Sequence, residues 1–399
     1  MEKNLLAFLA YTVALGAATL QVGPDKPFQA PCAAIAVAAT GDVIEIDAGL
    51  YRRDVCVIGR DNLTLRGVNG RAHLEAEDAS AQGKAIWVIH ANDVVVENIE
   101  FSGASVPDQN GAGIRAEGMN LTVRNCYFHD NQDGILESNV ARSNILIEFS
   151  EFDHNGFGTG QAHNLYIGHA GSLTFRFNWS HRAKVGHLLK SRASQNYIYF
   201  NRLTDETGNS SYEIDLPNGG SSYVIGNLIE QGKNTGNSTI LSYLEEGVSL
   251  LTAGKDLHVI NNSFVNDRPA GGTFIHLASA ADPALVTNNI FAGPGAVCDQ
   301  PNATLTANFV GNPLFVDASG FDYHLTAASP AIDQGSDTGP LTPAFQYLHP
   351  ACGEERVATG AGIDIGAYEF GGAGAALGAG NETLMEPNIR GERNCSPTS

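Results

Sequence analysis

Residues 185–203, VGHLLKSRASQNYIYFNRL, gather His187, Lys190, Arg192 and Arg202 in a chain whose formal charge is −20. Tyr166 and the histidines His163, His169 and His181 lie just upstream, and Glu213 and Asp215 follow. These residue types suit β-elimination from a uronic acid. One cation neutralises the sugar carboxylate and so acidifies the C5 proton, a base removes that proton, and an acid protonates the departing oxygen. A lysine flanked by arginine and imidazoles is a candidate base, which assigns that role to Lys190. Arg192 or His187 would neutralise the substrate carboxylate, and Tyr166 would donate the proton. His163, Asn164, His169, His181, Glu213 and Asp215 are the candidate substrate contacts. For any one of these residues the plainer account is strong. Lys190 could be a solvated strand residue paired with Asp215, worth little energetically, and His187 a satisfied bend residue. The cluster as a whole favours function, because the rest of the chain is poorer in cations and imidazoles.

A repeat must position these side chains. The segments VVVENIEF (94–101), LTVRNCYF (121–128), ILIEFSEF (145–152), LTFRFNWS (173–180), YIYFNRLT (197–204), YVIGNLIE (223–230), LHVINNSF (257–264) and LVTNNIFA (285–292) follow one another at 24–34 residues. Each opens with alternating apolar residues, the pattern of a half-buried strand. Asn98, Asn125, Asn201, Asn227, Asn261 and Asn289 fall at the fifth place. Shorter strand patterns lie between, such as HNLYIG, HLLKSR and YEIDLP. One such coil cannot bury its apolar face alone, but a stack of coils makes a continuous core. The recurrent Asn fits a structural ladder at a bend, since Asn tolerates left-handed backbone. Helical repeats fail, because the apolar period is two.

Stacked coils place equivalent strand positions about 4.8 Å apart. Aligning Ile167, Leu189 and Ile214 as inward residues predicts three outward columns. These are Tyr166, Leu188 and Glu213; Gly168, Lys190 and Asp215; and Ala170, Arg192 and Pro217. A one-residue slip would reverse the faces.

The acidic balance, with a pI near 4.9, argues against nucleic acid. The start, MEKNLLAFLAYTVALGAATLQVG, reads as a signal peptide ending near residue 18, and no later apolar run is long enough to span a membrane. A secreted or periplasmic monomer is expected. The cysteines form no CxxC or CxxH pair, which weighs against structural zinc. Export permits disulfides, and Cys32–Cys56 and Cys298–Cys352 are the favoured pairs, with Cys126 a buried thiol. The Ala-rich stretch 25–42 predicts a short helix over the first coil, residues 313–370 a terminal cap, and 371–399 a flexible tail.

The rungs, the capping helix and the ending SPAIDQGS…DIGAYEF resemble the right-handed parallel β-helix proteins of the pectate-lyase-like superfamily, over about residues 19–370. The resemblance implies an all-β, single-stranded right-handed parallel β-helix with an N-terminal capping helix. It leaves the reaction open among lyases, hydrolases, esterases and noncatalytic adhesins. LLKSRASQNYIYFNRLTDETGNSSYEIDLPNGGSSYVIGN further resembles the chondroitinase B and alginate lyase family, whose catalytic base strand matches Lys190-Ser191. That family's acidic calcium ligands are replaced here by Val185 and His187, and its catalytic Arg position falls near Asp215. Calcium and the acid role therefore stay open. No Asp-Asp pair of the polygalacturonase kind occurs, and no WIDH-like strand of the calcium-dependent pectate lyases. An exported polysaccharide lyase on an acidic glycan is the leading expectation. A noncatalytic glycan-binding or cell-surface β-helix is the second, and a glycoside hydrolase using Glu213 and Asp215 is the third.

Overall fold

A computed structural model describes residues 16–249, 252 and 254–376. The expected leader lies almost wholly outside these residues, as does most of the expected tail. The chain winds into a right-handed parallel β-solenoid of about ten coils. Each coil contributes a strand to a first ribbon, bends, adds a strand to a second ribbon, and crosses to a third. The first two ribbons merge into a 21-stranded sheet, and the third is a separate 10-stranded sheet. Alternation fixes which side chains enter the core. In Ser172–Arg176, Leu173 and Phe175 point inward while the residues between them are half-exposed. Phe101, Phe128 and Phe152 stack through the interior with centroids 4.9 and 5.0 Å apart. Each such buried ring contributes about 2 kcal/mol.

The bend between the first and second ribbons explains the recurrent Asn and corrects its alignment. It has two adjacent positions. The outer one holds left-handed backbone and is Asn98, Asn125, Phe149, Phe177, Phe200, Gly226, Asn261 and Asn288 in successive coils. The inner one follows it and, from the fourth of these coils, is Asn178, Asn201, Asn227, Asn262, Asn289 and Asn308. There each amide oxygen accepts from the preceding coil. Asn227 Oδ1 takes the backbone N–H and the Nδ2 of Asn201, both at 2.9 Å, and Asn262 does the same for Asn227. The six Asn aligned in one column by sequence therefore belong to two neighbouring columns.

The capping helix is Pro31–Ile35, much shorter than the Ala-rich stretch suggested. Ala34 and Ile35 close the core at that end, and the Cys32–Cys56 disulfide ties the helix to the third ribbon. Cys126 is a buried thiol, as expected. Cys298 is free, so the Cys298–Cys352 bridge does not form. Cys352 is disulfide-bonded elsewhere.

The segment after residue 313 does more than cap the stack. It returns along the outer face of the second ribbon, where Tyr323, Tyr347 and Tyr368 pack with Leu228, Val265 and Ile290. Those outward residues are apolar and need cover. The strand Ala373–Ala376 pairs with Cys352–Arg356, so ordered chain continues past Phe370, where the sequence placed the start of the tail. No helix among the described residues is long and apolar enough to cross a membrane.

Candidate functional site

The third ribbon carries the basic cluster. In Leu189–Ser191 the flanking residues are buried and Lys190 points outward. Lys190 pairs with Tyr166 on one side and Asp215 on the other, making one outward column. The sequence alignment differs by two residues at Tyr166, because Ile167 lies opposite Ser191 rather than Leu189. The slip keeps the faces but replaces Gly168 with Tyr166 as the neighbour of Lys190.

Lys190 Nζ lies 3.2 Å from Asp215 Oδ2 and 4.0 Å from Glu246 Oε1, and its side chain is only 12% exposed. The same Nζ sits 5.4 Å from the centre of the Tyr166 ring, within cation–π range. Arg192 Nε donates to Tyr166 Oη at 2.8 Å. Its Nη1 and Nη2 donate to the two oxygens of Glu246 at 2.6 and 3.0 Å, and Nη1 also donates to Asn218. Glu246 belongs to the loop after Thr239–Tyr243, which is anchored where Thr252 Oγ1 donates to the Arg192 carbonyl at 2.9 Å. The two carboxylates beside Lys190 are tuned in opposite directions. Burial raises the pKa of Asp215, with Lys190 working against the shift. The Arg192 hydrogen bonds lower that of Glu246.

The two histidines behind the column are neutral donors fixed in one tautomer. His163 Nδ1 accepts the His187 backbone N–H at 3.0 Å, and His187 Nδ1 accepts that of Tyr212 at 3.2 Å. Each ring therefore carries its proton on Nε2. The rings stack 4.3 Å apart. Burial, aided by Lys190, pushes His187 down to about 3, and burial beside His187 holds His163 well below the usual imidazole range. His187 Nε2 faces Asp215 Oδ2 at 3.5 Å. Neither imidazole adds positive charge near neutral pH, so with Asp215 and Glu246 in place the patch is balanced rather than cationic.

The other expected residues separate. His169 lies at the rim, with Nδ1 3.2 Å from Thr252 Oγ1. Asn164 is interior and accepts from Asn155 in a second, shorter Asn ladder. His181 sits on the second ribbon, fully buried, stacked 3.7 Å from Trp179 with Nε2 3.2 Å from Glu151. Arg202 is also on the second ribbon, bonded to Glu206 and the Phe321 carbonyl. Glu213 and Leu188, expected outward, both turn inward, because the chain enters the third ribbon through a bend that buries two successive residues. Neither carboxylate oxygen of Glu213 has a hydrogen-bond partner. Burial, reinforced by Asp205 and Glu230, raises its pKa far above the carboxylate range. Glu213 thus cannot contact a polymer on the surface. Sequence reasoning missed Glu246 and Asn218. Glu246 lies 54 residues beyond Arg192 and reaches back across two coils on a loop, a relation that no repeat spacing marks.

Calcium takes six to eight oxygen ligands. The column offers two carboxylates, and each is already paired with a cation, so this donor set does not fit calcium. Among the described residues, the convergent trio of metal-capable side chains is His73, Glu100 and His129, on the second ribbon.

Residues 55–203 match the family described as the right handed beta helix region. No curated protein matches the sequence. Among solved structures, the chain is similar to the pectate lyase Pel9A, at 14% identity over 89% of this chain and 97% of that one, with a TM-score of 0.65. A PL6 family alginate lyase, AlyGC, matches at 19% identity over 76% of this chain and 41% of that one, with a TM-score of 0.39. The pectin methylesterase from Yersinia enterocolitica matches at 12% identity over 53% and 81%, with a TM-score of 0.36. The chain has the pectate-lyase-like right-handed parallel β-helix fold.

Proposed function

We propose that this protein is an exported polysaccharide lyase that cleaves a uronic-acid-containing glycan by β-elimination at the Tyr166–Lys190–Asp215 column. The observation that carries this reading is Glu246. Its carboxylate engages two guanidinium nitrogens of Arg192 and lies 4.0 Å from Lys190 Nζ, the arrangement a uronate carboxylate would take. Its side chain is 51% exposed on a loop, so a polymer carboxylate can displace it. The likeness to a pectate lyase fold supports the substrate class, and the Cys32–Cys56 bridge supports an oxidising compartment.

In this reading Arg192 neutralises the uronate. Lys190, as the amine, takes the C5 proton, with Asp215 3.2 Å away to orient its nitrogen. The electron pair left on C5 forms the C4=C5 double bond and expels the C4 oxygen. Tyr166 Oη accepts from Arg192, which leaves its own proton free for that oxygen. No step uses calcium.

The opposite tuning of Asp215 and Glu246 favours a second reading, hydrolysis with Asp215 as acid and Glu246 as base. Incubation with a panel of acidic glycans separates the two. Ultraviolet absorbance of an unsaturated uronide, unaffected by chelator, supports elimination. New reducing ends without absorbance support hydrolysis, and binding without either leaves a noncatalytic glycan binder.

A further inference from the structure

The outer face of the second ribbon has an uncovered end. The C-terminal segment reaches back as far as Trp179, over which His349 sits at 4.6 Å. Beyond it, three earlier coils present His73, Glu100 and His129. His73 lies directly opposite Glu100 in the strand pairing, and His129 is opposite Ser102 one coil further on. The sequence separations are 27 and 29 residues, so only the stacking of coils brings the three together.

Both imidazoles aim at one carboxylate oxygen. His73 Nδ1 is 3.3 Å and His129 Nε2 is 3.1 Å from Glu100 Oε1, and the ligand atoms of all three lie within 4.8 Å of one another. Ligands bound at about 2.0–2.1 Å on a tetrahedron stand about 3.3 Å apart, so two of the three edges already have the required length. The other nitrogen of each ring is also engaged. His73 Nε2 is 2.7 Å from Ser102 Oγ, and His129 Nδ1 is 3.0 Å from Asp130 Oδ2. Partners of this kind orient metal-binding imidazoles and fix their tautomers. Asp130 is held in turn by Lys184 Nζ at 2.9 Å. All three candidate ligands are half-buried, which leaves the fourth corner of a tetrahedron open to solvent.

We propose that His73, Glu100 and His129 form a binding site for a divalent transition metal, zinc foremost, that clamps three successive coils. Two imidazoles and one carboxylate suit zinc and its neighbours and do not suit calcium or magnesium, which prefer oxygen throughout. The site is on a different ribbon from the Lys190 column and does not depend on the reaction proposed there.

The test is zinc titration of the chelator-treated full chain, followed by calorimetry and by thermal melting. One equivalent of zinc should bind and raise the melting temperature, and calcium at the same concentration should do neither. His73→Ala, Glu100→Gln and His129→Ala should each weaken zinc binding at least tenfold, while His324→Ala, at an exposed histidine elsewhere, should leave it unchanged. The metal-free melting temperature of each variant shows whether it folds. Cobalt bound to the wild-type chain gives an independent readout, with visible d–d bands and no thiolate charge-transfer band. The inference is overturned if the wild type takes up no zinc. It is equally overturned if folded His73→Ala and His129→Ala bind as tightly as wild type, or if a thiolate band places the metal on a cysteine.

Discussion

The second and third ribbons share one repeat yet treat their outer faces differently. On the second, the outward position runs through His73, Glu100, Tyr127, Glu151, Trp179, Arg202, Leu228, Ser263 and Ile290 in coil order. It is polar at the N-terminal end and largely apolar at the other, and the C-terminal segment covers the apolar end. On the third, the column Leu136, Tyr166, Lys190, Asp215, Ser242 and His276 stays polar through its middle, where the Glu246 loop reaches it. Inside the solenoid every coil must supply apolar side chains, so the interior says little about function. The outer face is free of that demand. Apolar outward residues predict a covering segment, and polar ones that pair across coils mark where a ligand can reach the stack.

The sharpest way to break this contrast is to remove the amine. Lys190→Ala should lower turnover about 10³-fold on any glycan that the wild type cleaves, and Lys190→Arg should fail as well, because a guanidinium does not give up its proton. The variant should still fold, with a lower melting temperature because Asp215 loses its buried partner. If Lys190→Ala keeps full activity while Glu151→Gln loses it, the reacting face is the second ribbon.

Next in size is the cover itself. Tyr347 is buried against the second ribbon, and its Oη accepts the Ala351 N–H at 2.8 Å. Tyr347→Ala should cost roughly 3 kcal/mol in urea unfolding. A loss below about 0.5 kcal/mol would mean that the segment lies loosely on the ribbon.

Glu213 tests the interior. Its neighbours in the inner column are Leu188 and Ile240, both fully buried. Glu213→Leu should therefore stabilise the protein by roughly 2 kcal/mol at pH 8. The folded-state pKa of this glutamate is raised, so the stability it permits is complete below the ordinary value of 4.5 and is lost as pH rises. The variant should lose less stability than wild type on going from pH 5 to pH 8 (nominal assay values, about three units apart). An unchanged slope would contradict the burial.

A further test lies at His187, whose folded-state pKa is pushed down from 6.5 to about 3. Its contribution is intact above 6.5 and is lost as pH falls toward 3, by at most ~1.4 kcal/mol per pH unit. His187→Asn should flatten the acid limb of a stability–pH curve by about one proton. An acid limb of the same steepness would place the uptake on other groups.

The solenoid was legible in sequence because strand alternation and the recurring bend residue are local signals repeated many times. The helix-to-ribbon disulfide was legible as well. What escaped depends on register. The position of Tyr166 beside Lys190 turns on how many residues the chain spends between ribbons, and that number varies from coil to coil. The inward turn of Glu213 reflects a bend that suspends alternation for one step. His73, Glu100 and His129 offered no motif, since each is a lone residue in its own coil, and neither cysteine spacing nor the acidic calcium pattern marks them. Glu246 escaped because its partner lies two coils back. The folding back of residues 313–370 was hidden because the segment is irregular, although the apolar outward residues Leu228, Val265 and Ile290 were visible as an uncovered stripe.

The inner Asn ladder has one more consequence. Its hydrogen bonds run along the solenoid axis from Asn178 to Asn308, whereas the same position in earlier coils is Ile99, Cys126 and Ser150. At this bend the reinforcement covers only the later coils, and the earlier ones rely on the shorter ladder of Asn131, Asn155 and Asn164 at another bend. Under a pulling force applied at its two ends, the N-terminal coils should peel away first, one by one, and the Asn-laddered coils should yield later and together. Single-molecule extension traces would then show a series of small steps followed by one large one.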